Sequence, residues 1–150
     1  MRFTFFVALA LSLVLIVGCK KDDNPYGTVH VEGTVTVDGA PVEGINVVFA
    51  PRGGDYAAGG VTNASGKFTV NTGGYSGAKP GSYDVTFTKI EVPGGDLSLE
   101  EFQARFGNRQ PTPEYLIPQK YEDAKTSGIE PITVSEDRRQ NVFTFELTSD

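Results

Sequence analysis

The chain has one cysteine, one histidine, one methionine and no tryptophan in 150 residues. A single Cys excludes an intramolecular disulfide framework, and a single His excludes a metal or catalytic site built on several imidazoles. Base is scarce as well: 13 Lys and Arg stand against 19 Asp and Glu, a net charge of −6. That balance excludes a nucleic-acid binder, which needs a basic face to neutralise phosphates. What the chain has instead is 18 Gly and 9 Pro, enough for many turns. Its length suits one domain of ordinary size, or a domain plus a targeting segment.

Long apolar runs are confined to the start. Arg2 is followed by fifteen positions, Phe3 to Val17, that only Thr4 and Ser12 interrupt. As a helix this run would be roughly 22 Å long, short of the roughly 30 Å of a bilayer's hydrocarbon core. A charged start, a short apolar stretch and small residues at its end predict a secretory signal peptide over residues 1–18. The only Cys falls at the cleavage position, in Leu15-Ile16-Val17-Gly18-Cys19. This resembles the bacterial lipobox, which implies diacylglyceryl on the Cys19 thiol, cleavage before it and acylation of the new amino group. Two or three acyl chains anchor stably where one does not. Lys20 after the Cys is compatible with outer-membrane sorting under the usual rule for such lipoproteins. The expected location is therefore the cell membrane or outer membrane, facing periplasm or exterior. Residues 19–26 read as the lipidated Cys and a short polar tether. Cleavage removes Arg2 alone among the charged residues, leaving 12 basic against 19 acidic and a charge of −7. Such a body is expected to stand off an anionic membrane surface.

Residues 27–150 read as one domain of short strands and turns. Val29, Val31, Val35 and Val37 alternate with His30, Glu32, Thr34 and Thr36, which predicts one long strand. Turn chemistry at Asp38-Gly39-Ala40-Pro41 leads to a strand over Ile45 to Phe49. A weak strand around Gly60 to Thr62 and the turn Asn63-Ala64-Ser65-Gly66 precede Phe68 and Val70. Beyond Pro80-Gly81, Tyr83, Val85 and Phe87 fall on one face and Asp84, Thr86 and Thr88 on the other. Ile129 to Val134 and Val142 to Leu147 complete about seven strands, the last with Phe143, Phe145 and Leu147 inward. The pattern predicts an all-β sandwich of immunoglobulin-like or transthyretin-like architecture.

Residues 90–118 interrupt it. Ser98-Leu99-Glu100-Glu101 is a capping box, and Leu99, Phe102 and Phe106 recur at helical spacing up to Gly107-Asn108. One short amphipathic helix in a late insertion is expected. Connections of this length are usually functional or disordered, and a disordered one would not need those apolar residues. Phe102 and Phe106 either close a lid over an open sheet edge or form a partner-binding surface.

The ordered set of turns and strands resembles the carboxypeptidase regulatory-like domain, a transthyretin-like sandwich, in the single-domain form carried by lipoproteins of planctomycete-type bacteria. The residues are Gly33-Thr-Val-Thr-Val-Asp-Gly-Ala-Pro-Val42, Val47-Val-Phe-Ala-Pro51, Val61-Thr-Asn-Ala-Ser-Gly-Lys-Phe68 and Gly77-Ala-Lys-Pro-Gly-Ser-Tyr-Asp-Val85. Ile117-Pro-Gln-Lys-Tyr121, Thr126-Ser-Gly128 and Asn141-Val-Phe-Thr-Phe-Glu-Leu147 continue it. Asn63 stands where the family more often has Asp. The resemblance implies a fold and an envelope location, with no defined activity.

Chemistry-bearing residues are few. His30 lies opposite the valines and reads as a solvated strand residue. A related sandwich that hydrolyses 5-hydroxyisourate uses several His and Arg residues and a C-terminal Tyr-Arg-Gly-Ser, whereas this chain ends Leu147-Thr148-Ser149-Asp150. The carboxylate pairs Asp22-Asp23, Glu100-Glu101 and Glu136-Asp137 do not follow a calcium-loop pattern. Gly53-Gly54, Gly59-Gly60 and Gly73-Gly74 lack the Lys of a phosphate loop and read as loop tips. Tyr26, Tyr56, Tyr75, Tyr115 and Tyr121 lie near turns, where they either cap the core or stack on sugars and partners. The expectation is a non-enzymatic, lipid-anchored envelope protein with a structural or protein-interaction role, without catalytic residues, metal or cofactor. The alternative is a glycan-binding module holding cell-wall or extracellular polysaccharide. Expected partners are the membrane through Cys19 and an envelope protein or glycan, with no nucleic acid and a monomeric state.

Overall fold

The computed structural model describes residues 24–54 and 56–150. The expected signal peptide, Cys19 and the tether as far as Asp23 lie outside the described residues. In chain order the strands are β1 (Glu32–Val37), β2 (Ala40–Pro41), β3 (Asn46–Pro51), β4 (Ala58–Val61), β5 (Lys67–Thr69) and β6 (Asn71–Thr72). Then come β7 (Tyr75–Ser76), β8 (Gly81–Thr88), β9 (Ile90–Glu91), helix α1 (Leu99–Phe106), β10 (Glu114–Tyr115), β11 (Ile132–Val134) and β12 (Val142–Leu147).

Two sheets carry the domain. In the first, β1 is central: β12 runs parallel along one side, and β2 and β5 pair antiparallel on the other. The second is antiparallel throughout, in the order β11-β8-β3-β4-β6-β7. Period-two alternation gives each sheet one apolar face, and those faces meet. Val31, Val35, Phe68, Phe145 and Leu147 from the first sheet and its flanks are buried against Val47, Phe49, Tyr83, Val85 and Phe87 from the second. The centre is aromatic: Phe49 lies 6.2 Å from Phe68, 5.9 Å from Tyr83 and 6.1 Å from Phe143 between ring centroids.

The protein is an all-β sandwich with one short helix, as its alternation predicts, but the strand count is higher than about seven. Seven of the twelve strands have three or more residues, and each falls where alternation places one. The other five are two residues long, and a two-residue strand is defined by its partner rather than by any pattern of its own. The single long first strand also divides. Val29 bridges Ala78, whereas β1 pairs with β12 from Glu32 onward. The period-two facing runs through, with Gly33 between Val31 and Val35, while the chain changes partners.

Asn141 supports this switch. It is 1% exposed; its side chain accepts from the Ser135 amide at 2.7 Å and donates to the Ser135 carbonyl at 2.8 Å and the His30 carbonyl at 3.4 Å. A buried amide with its hydrogen bonds made is tolerated; an unpaired one would be costly.

The insertion leaves through β9 and returns through β10, a two-stranded ribbon with Glu114 opposite Glu91 and Tyr115 opposite Ile90. The chain then re-enters the core at once, with Ile117 and Tyr121 each 4% exposed. Tyr121 is a core cap: its hydroxyl accepts from the Thr148 amide at 2.9 Å.

Candidate functional site

The five turn tyrosines separate into three roles. Tyr121 is buried, Tyr115 sits on the insertion, and Tyr26, Tyr56 and Tyr75 form a cluster. Tyr26 lies edge-on to Tyr56 at 4.8 Å and tilted against Tyr75 at 5.6 Å between centroids. Tyr56 and Tyr75 remain 46% and 41% exposed.

The local chain explains the cluster. Asn24 starts it, with its side chain accepting from the Tyr26 amide at 3.1 Å and donating to the Thr28 hydroxyl at 2.6 Å. That hydroxyl donates to the Ser76 carbonyl at 2.7 Å, which ties the incoming chain to β7. Gly73 and Gly74, at φ 55° and 89°, turn β6 into β7 as a two-residue hairpin, a geometry that favours glycine at both positions. Gly73 also lies under Tyr26: a Cβ there would come 2.5–2.7 Å from the ring. The loop-tip reading of these glycines understates them, because they seat an aromatic.

A cleft opens on each side of the cluster. One of about 380 Å³ is lined by Asn24, Thr28, His30, Tyr75, Ser76 and Arg138. The other, of about 320 Å³, has Arg52, Tyr56, Lys79, Ser82 and Tyr83 in its wall. Among the described residues neither lining contains a carboxylate; Asp55, between Gly54 and Tyr56 of the second lining, lies outside them. Arg52 is paired outside the cleft with Asp84, Nε to Oδ1 at 2.9 Å. Among the described residues, Lys79 and Arg138 are not within ion-pair distance of any carboxylate. His30 is half-exposed, with Nε2 3.6 Å from a Glu32 oxygen. Tyr83 reaches under the second cleft and donates to the Lys79 carbonyl at 2.7 Å; burial pushes its pKa above the ordinary phenol value.

A third cleft, about 450 Å³, lies where β1 and β5 approach β4, lined by Glu32, Thr34, Val61, Asn63, Lys67 and Val142 among others. Of the carboxylate pairs, Asp22-Asp23 lies outside the described residues, and one member of each of the others is engaged. Glu101 completes the helix cap, and Asp137 accepts from the Arg139 amide and guanidinium at 3.1–3.2 Å. Among the described residues no group of three or more His, Cys, Asp or Glu is placed to hold a metal ion.

The helix forms with the predicted cap. Ser98 Oγ accepts from the Glu101 amide at 3.3 Å while Glu101 accepts from the Ser98 amide at 3.0 Å. The bonds from Ser98 hold the Glu101 carboxyl below its ordinary range. Phe102 and Phe106 lie tilted against each other at 4.9 Å, and Gly94 lies so close that a Cβ there would be 2.7 Å from Phe106, 3.2 Å from Phe102 and 3.3 Å from Leu97. Neither phenylalanine belongs to the side chains packed against the sandwich core. The pair closes on its own loop rather than serving as a lid on the sheets. Leu99 does not share the stripe and is 75% exposed. At the first helical position its side chain leans back past the helix start, whereas Leu97, just before the cap, lies with Phe102 over Gly94.

No family model, curated protein or solved structure matches the chain.

Sequence reasoning named all three clustered tyrosines but not their meeting. Positions 26, 56 and 75 share no spacing that a strand or helix would reveal. The bridge of Val29 to Ala78, the pairing of Gly59 with Asn71 and the β6–β7 hairpin bring them together.

Proposed function

We propose that this is a lipid-anchored cell-envelope protein of the carboxypeptidase regulatory-like kind, whose non-catalytic sandwich presents residues 90–116 as a protein-interaction arm. The observation that carries the reading is where apolar surface is exposed. Of ten large hydrophobic side chains exposed among the described residues, five lie on this arm: Ile90, Val92, Leu99, Tyr115 and Leu116. Concentrated exposed apolar surface on a folded segment is a mark of partner contact. The capping box and the Phe102–Phe106 pair support it, because they hold a defined shape without help from the sandwich. The anchor reading draws on the lipobox-like run ending at Cys19. A second reading, a module that holds polysaccharide, draws on the tyrosine cluster.

Two measurements test the two halves. Cys19→Ser is expected to abolish labelling by a palmitate analogue in cells and to leave the precursor uncleaved; equal label on variant and parent ends the anchor reading. Replacing Phe102 and Phe106 together with Ser is expected to lower the Tm of the sandwich by only a few degrees, since neither packs on its core. The same variant is expected to lose its cross-linked partners from the envelope. Unchanged cross-linking would end the arm's assignment.

A further inference from the structure

We infer that the end of the sandwich bearing Tyr26, Tyr56 and Tyr75 is a bilayer-docking surface. Its tyrosines sit at the headgroup level of the membrane that holds the Cys19 lipid, and Lys79 and Arg138 meet lipid phosphates. The inference rests on the lipid-anchor reading and adds an orientation to it.

Reach is the first argument. Five residue steps separate Cys19 from Asn24, and a fully extended chain covers at most about 18 Å over that distance. Asn24 itself lines the cleft that contains Tyr75 and Arg138. Whatever path the tether takes, this end of the domain cannot leave the vicinity of the bilayer surface. The opposite end can.

Side-chain chemistry is the second. A half-exposed tyrosine has an apolar ring and a polar tip, the combination that concentrates at membrane–water interfaces. Tyr56 and Tyr75 present such rings side by side, with Tyr26 between them. Among the described residues the two flanking clefts supply Lys79 and Arg138 outside any ion pair, beside Arg52 held by Asp84, in a mature chain of charge −7. An anionic leaflet repels most of this body and finds two cations, Lys79 and Arg138, at this end.

Direction is the third. Gly81, Ser82 and Tyr83, at the start of β8, line the cleft beside Tyr56. The arm leaves at Ile90, just past the end of the same strand. Eight strand residues separate those ends by roughly 23 Å. Docking by the tyrosines therefore turns the arm away from the bilayer, toward whatever it binds. The contact does not have to be strong: a domain already held by its lipid meets the surface at high effective concentration. Polysaccharide is the lesser fit, because the tether keeps both clefts close against the membrane, where a long chain has little room.

Tyrosine iodination of the mature lipidated protein, in vesicles of phosphatidylcholine containing phosphatidylglycerol, tests the inference. Peptide mass spectrometry reads each position, and Tyr115, 40% exposed on the arm, is the internal control. Tyr56 and Tyr75 are expected to label several-fold more slowly than Tyr115. The double variant Lys79→Glu, Arg138→Glu is expected to restore their labelling toward that of Tyr115. Flotation with the vesicles and the acyl mass on Cys19 are measured on the same sample. Protein that neither floats nor carries acyl groups overturns the anchor reading and docking with it. Protein that floats while Tyr56 and Tyr75 label as fast as Tyr115 overturns docking alone. Protection given by a soluble polyuronate but not by the vesicles overturns docking in favour of a glycan site.

Discussion

Phe49→Ala is expected to lower the unfolding free energy by about 3–5 kcal/mol, the usual cost of deleting a fully buried aromatic ring. Phe49 is 0% exposed and stands where the two sheets meet. Its neighbours Phe68 and Phe143 come from the first sheet and Tyr83 from the second, so the cavity would be walled by rigid rings on both sides. Those neighbours are held by backbone ladders and cannot collapse into the space. For a domain whose total stability is of the order of 5–15 kcal/mol, the variant comes near to unfolding. Val48→Ala on the same strand is the control. Val48 points outward at 40% exposure and should cost about 0.5 kcal/mol or less. Urea titration of both variants measures the contrast, and equal midpoints would refute the inward–outward assignment of β3.

Gly77→Ala is expected to cost about 2–4 kcal/mol and to open the tyrosine cluster. Gly77 has φ +97°, a conformation that disfavours any residue with a Cβ. The added methyl would also stand inside the van der Waals shell of the Val29 carbonyl, against the bridge that ties the incoming chain to Ala78. The backbone cannot shift to make room. The Gly77 amide donates to the Val70 carbonyl at 2.7 Å, and its carbonyl accepts from the Thr72 hydroxyl at 2.9 Å. Losing the Val29–Ala78 bridge frees the segment that carries Tyr26. Faster iodination of Tyr56 and Tyr75, together with a lower Tm, is the expected pair of results. Gly59→Ala provides the comparison, since a Cβ there meets the Val47 carbonyl at an ordinary 3.7 Å. A Tm for Gly77→Ala equal to that of Gly59→Ala would refute the argument.

Residues whose role depends on one neighbouring surface were legible in the chain. Tyr83, Val85 and Phe87 are buried along β8 because alternation alone assigns them a face. The Ser98–Glu101 cap formed as read, since both partners lie within one helical turn and need nothing from the rest of the fold. Tertiary structure decided what depends on a distant partner. Val29 and Val35 look alike in the pattern, yet Val29 bridges Ala78 while Val35 pairs with Phe145 and defines β1. Tyr26, Tyr56 and Tyr75 became a surface because a bridge, the β4–β6 pairing and a Gly-Gly hairpin fold three remote turns onto one end. Phe102 and Phe106 were correctly placed on one side of a helix, but what that side faces was settled by Gly94 and Leu97, which turn the pair onto its own loop. Periodicity tells a side chain which way to point; which surface waits there is set by contacts that no local spacing encodes.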